Sequence, residues 1–184
     1  MSPASRPLQP DGVSLILKAL EFAAQKHRDQ RRKDKEASPY INHPIQLANV
    51  LWHEGGVADP AVIAAALLHD TVEDTETSWQ ELRGEFGDEI AAIVLEVTDV
   101  QWLKKIVRKR LQVAKAKHAS KRARLVKLAD KICNLRDVAA RPPASWPLER
   151  RQEYFEWAKE VVDKLRGTHP GLERKFDDAY ALKP

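Results

Sequence analysis

The spacing of apolar positions along the chain predicts one helix after another. Residues 11 to about 30 place Leu15, Ala19, Phe22 and Ala23 on one face, with Asp11 as the predicted N-cap. Further helices are predicted over 42–55, 60–74, 103–117, 120–140 and 147–167. A Ser78/Glu81 capping box predicts the start of a short helix, the segment "GDEIAAIVLEVTD" predicts another, and a last short helix is predicted after His169-Pro170. No convincing alternating strand and no repeat interrupts this pattern. The chain therefore reads as one compact all-α bundle of about eight to ten helices.

The segment "AALLHDTVEDT", residues 65–75, combines the most apolar predicted helix with a cluster of ionisable groups. An alanine-rich body over 60–74 predicts a central buried helix, yet its last turn carries His69, Asp70, Glu73 and Asp74. Carboxylates are disfavoured at a helix C-terminus and costly to bury unless they are paired or bound to a metal. This segment therefore favours a bound cation.

Composition sets broad limits on the class of protein. The 184 residues are 43% hydrophobic and 32% charged, as expected of a single globular domain spanning 1–184. A single cysteine, Cys133, is incompatible with an internal disulfide framework. The N-terminus lacks an apolar signal segment, residues 1–10 are expected to be flexible, and no stretch is long enough for a membrane span. We expect a cytoplasmic protein that does not bind membranes.

The net charge of +4 conceals an asymmetry. Residues 70–99 carry ten Asp or Glu against Arg83 alone, and residues 101–131 carry twelve Lys or Arg against Asp130 alone. This arrangement fits a site that binds both a metal ion and a phosphate compound. Two solvated faces that attract each other would give the same pattern.

Histidines and carboxylates elsewhere complete a candidate metal site. His43, in "YINHP", and Asp130, in "KLADKICNLRD", can join His69 and Asp70 in a mixed nitrogen and oxygen ligand set. Such a set suits Mn²⁺, Fe²⁺ or Zn²⁺ with open positions for water and substrate. Glu73 or Asp74 could then orient or deprotonate a water molecule.

Four segments carry a resemblance to a known family. They are "RRKDKEASPYINHPIQLA", "AALLHDTVEDT", "FGDEIAAIVLEVTD" and "LVKLADKICNLRD". Together they resemble the HD-domain hydrolase of the RelA/SpoT family, over residues 14–170 and above all in its small stand-alone alarmone hydrolases. The resemblance implies removal of the 3′-pyrophosphate of the alarmones ppGpp and pppGpp, using one Mn²⁺. No synthetase domain is expected.

The resemblance also implies roles for individual residues. His43, His69, Asp70 and Asp130 match the metal ligands, and Glu73 and Asp74 match the catalytic pair of the family. The residues matched or suggested for substrate binding are Arg32 and Lys33 at the guanine, Asn134 and Tyr154 at the nucleoside and ribose, and Lys105 and Arg108 at the pyrophosphate. The expected partner is a small-molecule nucleotide; the oligomeric state is left open.

Each assignment has an ordinary structural alternative. His69 and Asp70 could form a hydrogen-bonded pair at a helix end, and Asp130 could pair with Arg124 or Lys127. His27, His53, His118 and His169 are expected at structural or surface positions, and Trp79, Trp102, Trp146 and Trp157 in the core or as half-buried anchors.

Other functions also fit parts of the sequence. The same site could act on another ribose phosphate such as NADPH, or bind alarmone without turnover, although the intact Glu73/Asp74 pair speaks against an inactive sensor. A basic helical protein could instead bind nucleic acid, but we find no nucleic-acid motif and expect no such partner.

Overall fold

The computed structural model describes residues 10–184, and this part of the chain is built from helices. In chain order they are α1 (Pro10–Lys26), α2 (Asn42–Asn49), a π-helical turn (Val50–Glu54), α3 (Pro60–Leu68), α4 (Thr71–Asp74), α5 (Trp79–Val97), α6 (Lys105–Ala116), α7 (Lys121–Ala140), α8 (Leu148–Asp163) and α9 (Pro170–Tyr180). The β pairing within residues 10–184 is one isolated bridge between Arg31 and Pro39. The prediction of an all-α fold with about eight to ten helices is confirmed.

Two further predictions concern the ends of the chain and the membrane. Apart from Pro10, which begins α1, the expected flexible residues 1–10 lie outside the described part of the chain. Among the helices of residues 10–184, none combines the length and the apolar character that crossing a membrane requires.

The core is organised around α3. All eight residues from Ala61 to Leu68 are buried, and α3 packs against α1, α2, α5 and α7. Its three consecutive alanines, 64–66, have no accessible surface and allow neighbouring helices to approach closely. The prediction of a central buried helix is therefore correct for its apolar part.

The acidic end of that predicted helix is different. The prediction of one helix over 60–74 is wrong, because α3 ends at Leu68 and α4 begins at Thr71. His69 is the C-cap of α3, and Asp70 adopts φ −100° and ψ −2° before the next helix. His69 and Asp70 therefore lie in a sharp turn between two helices.

Side-chain caps fix several helix starts. Asp59, Ser78 and Ser120 accept hydrogen bonds from backbone N–H groups in the first turns of α3, α5 and α7. Ser78 acts as predicted, but Glu81 binds Lys26 at 2.7 Å. Asp11, predicted as the first N-cap, lies inside the first turn of α1 because that helix begins at Pro10.

A narrow hairpin connects α1 to α2. The Arg32 N–H donates to the Ser38 carbonyl at 2.8 Å, and the Tyr40 N–H donates to the Gln30 carbonyl at 3.1 Å. We call residues 27–41 the hairpin loop. Its two sides bring Tyr40 to Asp70, Gln30 to Asp74 on α4, and Arg32 to Asp137 on α7.

We expect Asp59→Ala to lower the free energy of unfolding by about 1 kcal/mol, because the variant loses the N-cap bond to Ala61 N–H, which is 3.0 Å long. Asp59→Asn keeps a capping oxygen and should lose less. Urea denaturation of both variants measures the difference. Equal losses would assign the effect to the ion pair between Asp59 and Arg122.

Candidate metal centre and cleft

Three side chains from separate elements meet at the buried end of α3. His43 comes from the first turn of α2, His69 from the turn after α3, and Asp130 from the middle of α7. One ligand atom from each lies within 4.8 Å of the others. Both histidines are buried, at 2% and 6% exposure. The structure thus brings together three of the four predicted metal ligands.

Asp130 is held in its charged form by its neighbours. His43 Nε2 lies 3.3 Å from Asp130 Oδ1, Lys131 Nζ donates to Oδ2 at 2.9 Å, and Asn134 Nδ2 donates to Oδ1 at 2.5 Å. Burial opposes ionisation, but Lys131 and His43 outweigh it and hold the pKa of Asp130 well below its usual range. The suggested pairing of Asp130 with Arg124 or Lys127 is not the arrangement found.

Asp70, the fourth predicted ligand, lies beside the three-residue cluster. Its Oδ2 is 2.8 Å from His69 Nε2 and accepts a hydrogen bond from the Tyr40 hydroxyl. Burial alone would lower the pKa of His69, yet the Asp70 carboxylate raises it to about 9. A cation that binds here must therefore displace a proton from this pair.

The donor set fits a divalent cation. The His69 Nδ1–H donates to the Ala66 carbonyl at 2.8 Å, which leaves Nε2 facing the cluster. That Nε2 is buried and, despite its short distance to Asp70, makes no well-aligned hydrogen bond in the structure. A backbone carbonyl fixing the remote ring nitrogen is the arrangement that orients metal-binding histidines. His43, His69 and Asp130, with Asp70 beside them, could therefore hold a metal ion.

Glu73 and Asp74 are adjacent in sequence but lie in different surroundings. Glu73 accepts a hydrogen bond from the Asp99 N–H at 2.9 Å and lies 3.4 Å from Arg108 Nη1. Burial outweighs the Asp99 hydrogen bond and raises the pKa of Glu73 to about 7. Asp74 is exposed and accepts a hydrogen bond from Gln30 Nε2 at 3.1 Å.

A cleft with two arms opens onto these groups. One arm, about 370 Å³, runs along the hairpin loop, and we call it the hairpin arm. The other, about 260 Å³, runs along α6, and we call it the basic arm. Both arms are lined by Tyr40, His43, Asp74, Asn134 and Tyr154. The candidate metal centre therefore lies where the two arms meet.

All four residues predicted for the nucleoside line the hairpin arm. Arg32 is half-buried, donates to Asp137 Oδ2 at 2.5 Å, and lies 5.7 Å from the Tyr40 ring, whereas Lys33 is exposed. Asn134 also donates to Asp130 and so supports the candidate metal centre. Tyr154 lies between both arms and packs 5.4 Å from the ring of Trp146.

The basic arm contains more cationic groups than were predicted from the sequence. The predicted Lys105 and Arg108 line it, and Lys109 and Lys131 join them. Lys109 lies one turn after Lys105 on α6, and its Nζ is 4.7 Å from the Trp157 ring. The i, i+4 spacing between Lys105 and Lys109 could have predicted Lys109 from the sequence. The role of Lys131 depends on the approach of α8 to α7, which no local pattern shows.

Two other expectations need correction or refinement. The placement of Trp102 in the core or as a half-buried anchor is wrong, since this residue is 85% exposed in the connection from α5 to α6. Trp146 and Trp157 are half-buried as expected, but both also line the cleft. Tyr40, Gln30 and Asp137 were missed because they act through neighbours that are distant in sequence.

Comparison with known proteins identifies the class of this helical fold. Residues 19–156 match the model of the HD domain family. The chain belongs to the HD domain family.

Individual relatives narrow the assignment. The chain is 56% identical to the guanosine-3′,5′-bis(diphosphate) 3′-pyrophosphohydrolase MESH1 of Xenopus tropicalis, over 91% of this chain and 94% of that protein. Against the human protein of the same name the identity is also 56%, over 90% and 92% of the two chains. A solved structure of a metazoan ortholog of SpoT, which hydrolyzes ppGpp and plays a role in starvation responses, superposes with a TM-score of 0.89. The two chains share 46% sequence identity, and the match covers 97% of each chain.

Within the HD domain family, the chain therefore groups with the MESH1 proteins. The resemblance to the RelA/SpoT-type stand-alone hydrolases is confirmed.

We expect His69→Ala and Asp130→Asn to abolish binding of a divalent cation, because the first removes a nitrogen donor and the second replaces an anionic ligand with a neutral amide oxygen. Metal-stripped protein is equilibrated with Mn²⁺, dialysed and measured by mass spectrometry for bound metal. Glu73→Gln is the control and should retain the ion. Full metal content in His69→Ala would contradict the assignment.

Metal-stripped wild type should lose stability as the pH rises through about 7. The raised pKa of Glu73 means that the folded state binds more protons than the unfolded state between the usual carboxyl value and about 7. Glu73→Gln should therefore raise the thermal midpoint at about pH 8 and gain less at about pH 5.5. Glu76→Gln, at an exposed site, is the matched control. A pH-independent gain would count against a protonated Glu73.

Proposed function

We propose that this chain hydrolyses ppGpp and pppGpp, releasing pyrophosphate from the 3′ oxygen of the ribose and leaving GDP or GTP, with Mn²⁺ as its metal. The observation that carries this proposal is the meeting of a basic arm and a nucleoside-sized hairpin arm at one His/Asp cluster whose two histidines are buried. The names of the MESH1 relatives and the activity of the SpoT ortholog support the same substrate.

The cleft offers a place for each part of the substrate. The guanine and ribose would lie in the hairpin arm, where Arg32 and Lys33 can contact the base and Asn134 and Tyr154 the ribose. A guanidinium group can stack on a purine and donate hydrogen bonds in its plane. The 3′-pyrophosphate would point into the basic arm, toward Lys105 and Arg108.

The bond changes define what the protein has to supply. Water adds to the phosphorus carried by the 3′ oxygen, the bond between that phosphorus and the 3′ oxygen breaks, and the 3′ oxygen takes up a proton. Positioning and charge stabilisation account for most of the catalysis of phosphoryl transfer. A divalent cation held by His43, His69, Asp70 and Asp130 would neutralise phosphoryl oxygens and lower the pKa of water.

Glu73 and Asp74 have different roles toward the attacking water: Glu73 accepts its proton, and Asp74 orients it. Glu73 has a pKa raised by burial to about 7, so near neutral pH it can accept a proton from the attacking water. Its carboxyl group is oriented by the Asp99 N–H. Asp74 borders both arms and can orient the same water from the side of the hairpin loop.

The proposal extends to the setting of the enzyme. We propose a cytosolic hydrolase of a small nucleotide, with residues 1–184 as one hydrolase domain and with no nucleic-acid partner. Some cations of residues 101–131 form ion pairs within the protein, as Arg122 does with Asp59 and Glu89. Others line the cleft, as Lys105 does.

We expect metal-stripped protein supplied with Mn²⁺ to convert ppGpp to GDP and pyrophosphate, and to do so far more slowly without the ion. Ion-exchange chromatography resolves the products, with a parallel reaction on NADPH. Release of phosphate from NADPH alone would preserve the site and change the substrate. No turnover of either compound would contradict hydrolysis. Steeply salt-dependent binding of nucleic acid would then favour the alternative function of a nucleic-acid-binding protein.

The double variant Glu73→Ala/Asp74→Ala should lower kcat by more than about 100-fold while retaining Mn²⁺. The change removes the proposed proton acceptor and its neighbour but leaves the metal-binding donors. Loss of the metal in this variant would show that the pair supports the metal site. Glu76→Ala serves as the control and should keep wild-type turnover.

A further inference from the structure

We propose that His27 and Gln30 form a positioning relay that sets the orientation of Asp74, an inference that rests on the proposed hydrolysis of alarmone. His27 Nδ1 lies 2.5 Å from Gln30 Oε1, and Gln30 Nε2 lies 3.1 Å from Asp74 Oδ2. The relay runs from His27, which directly follows α1, through Gln30 of the hairpin loop to the last residue of α4.

Chemistry fixes the polarity of this relay. The Asp74 carboxylate only accepts hydrogen bonds, so the Gln30 amide nitrogen must face it. The Gln30 carbonyl oxygen then faces His27 and can only accept, so His27 must carry its proton on Nδ1. His27 with its proton on Nδ1 and the Asp74 carboxylate therefore favour the same orientation of the Gln30 amide.

His27, the first residue of the relay, is buried. His27 is 1% exposed, and its ring packs 4.9 Å from the Tyr40 ring. Its Nε2 is buried without a hydrogen-bond partner in the structure. A polar ring buried with one nitrogen unsatisfied is costly, so a role for the other nitrogen accounts for it better than packing does.

The backbone of Gln30 is fixed from both sides. Its N–H donates to the His27 carbonyl at 3.0 Å, and its carbonyl accepts from the Tyr40 N–H at 3.1 Å. Its side chain thus extends from an anchored point toward α4. Tyr40 in turn donates to Asp70, so the same hairpin loop contacts both the candidate metal centre and Asp74.

Asp74 depends on this support more than Glu73 does. Glu73 is oriented by the Asp99 N–H and by Arg108. Asp74 is exposed, and within residues 10–184 the side chain that donates to its carboxylate is Gln30. An exposed carboxylate samples several rotamers, and a fixed donor selects the one that faces the cleft.

The test compares His27→Ala, His27→Asn and Gln30→Leu with wild type on ppGpp. His27→Ala and Gln30→Leu should lower kcat by about 10- to 100-fold, with KM and bound metal little changed. His27→Asn places an amide N–H near the former Nδ1–H and should restore most of the loss. Gln25→Ala, an exposed glutamine on α1, is the matched control and should behave as wild type.

Two readouts separate positioning from a loss of stability. In a double-mutant cycle, Gln30→Leu should cost little further activity once Asp74→Asn is present, because the relay acts through that carboxylate. In spectra of ¹⁵N-histidine-labelled protein, the His27 Nδ1–H signal should shift in Gln30→Leu. Thermal denaturation checks that each variant is folded; if His27→Ala is not, Gln30→Leu carries the test.

The outcomes distinguish the two levels of the proposal. Wild-type protein that fails to hydrolyse ppGpp overturns the proposed function, and the relay with it. Active wild type with Gln30→Leu at the same kcat overturns the relay alone. So do equal fractional losses from Gln30→Leu with and without the Asp74 carboxylate.

Discussion

The structure depends on keeping four ionisable groups together in its interior. His43, His69, Asp70 and Asp130 lie where α2, the turn after α3, and α7 meet. Isolated charges at this depth would be expensive, and each of these groups offsets part of the cost of its neighbours. Displacing one helix would leave a charge without its partner. The candidate metal centre and the packing of these three elements therefore constrain each other.

The apolar scaffold makes that geometry rigid. Small side chains along α3 let four other helices approach it. The buried helix ends at Leu68, and the break at His69 turns the chain toward the cleft. On α7, buried Leu128 and Ile132 anchor the helix in the core, and Asp130 between them faces His43. Sites built on such packed elements hold their side chains more precisely than sites on loops.

The two carboxylates of α4 show how one short segment can provide two environments. Glu73 turns toward the connection between α5 and α6, where burial favours its protonated form. Asp74 turns toward the hairpin loop and solvent, where it accepts from Gln30. Two neighbouring carboxylates thereby differ in burial and in orientation, and burial of Glu73 raises its pKa to about 7.

The sequence by itself determined the helical class, most element positions, and the residue types of the site, because apolar spacing, caps and motifs are local features. It could not determine that the predicted helix over 60–74 is interrupted at His69 and Asp70, since the apolar spacing of this segment favours one continuous helix. Nor could it reveal Lys131 lining the basic arm, the hairpin that brings Gln30 to Asp74, or the exposure of Trp102. These features join residues up to 44 positions apart or depend on which surfaces remain uncovered, as with Gln30 and Asp74. Such contacts form only when distant helices pack, so the tertiary structure alone decided them.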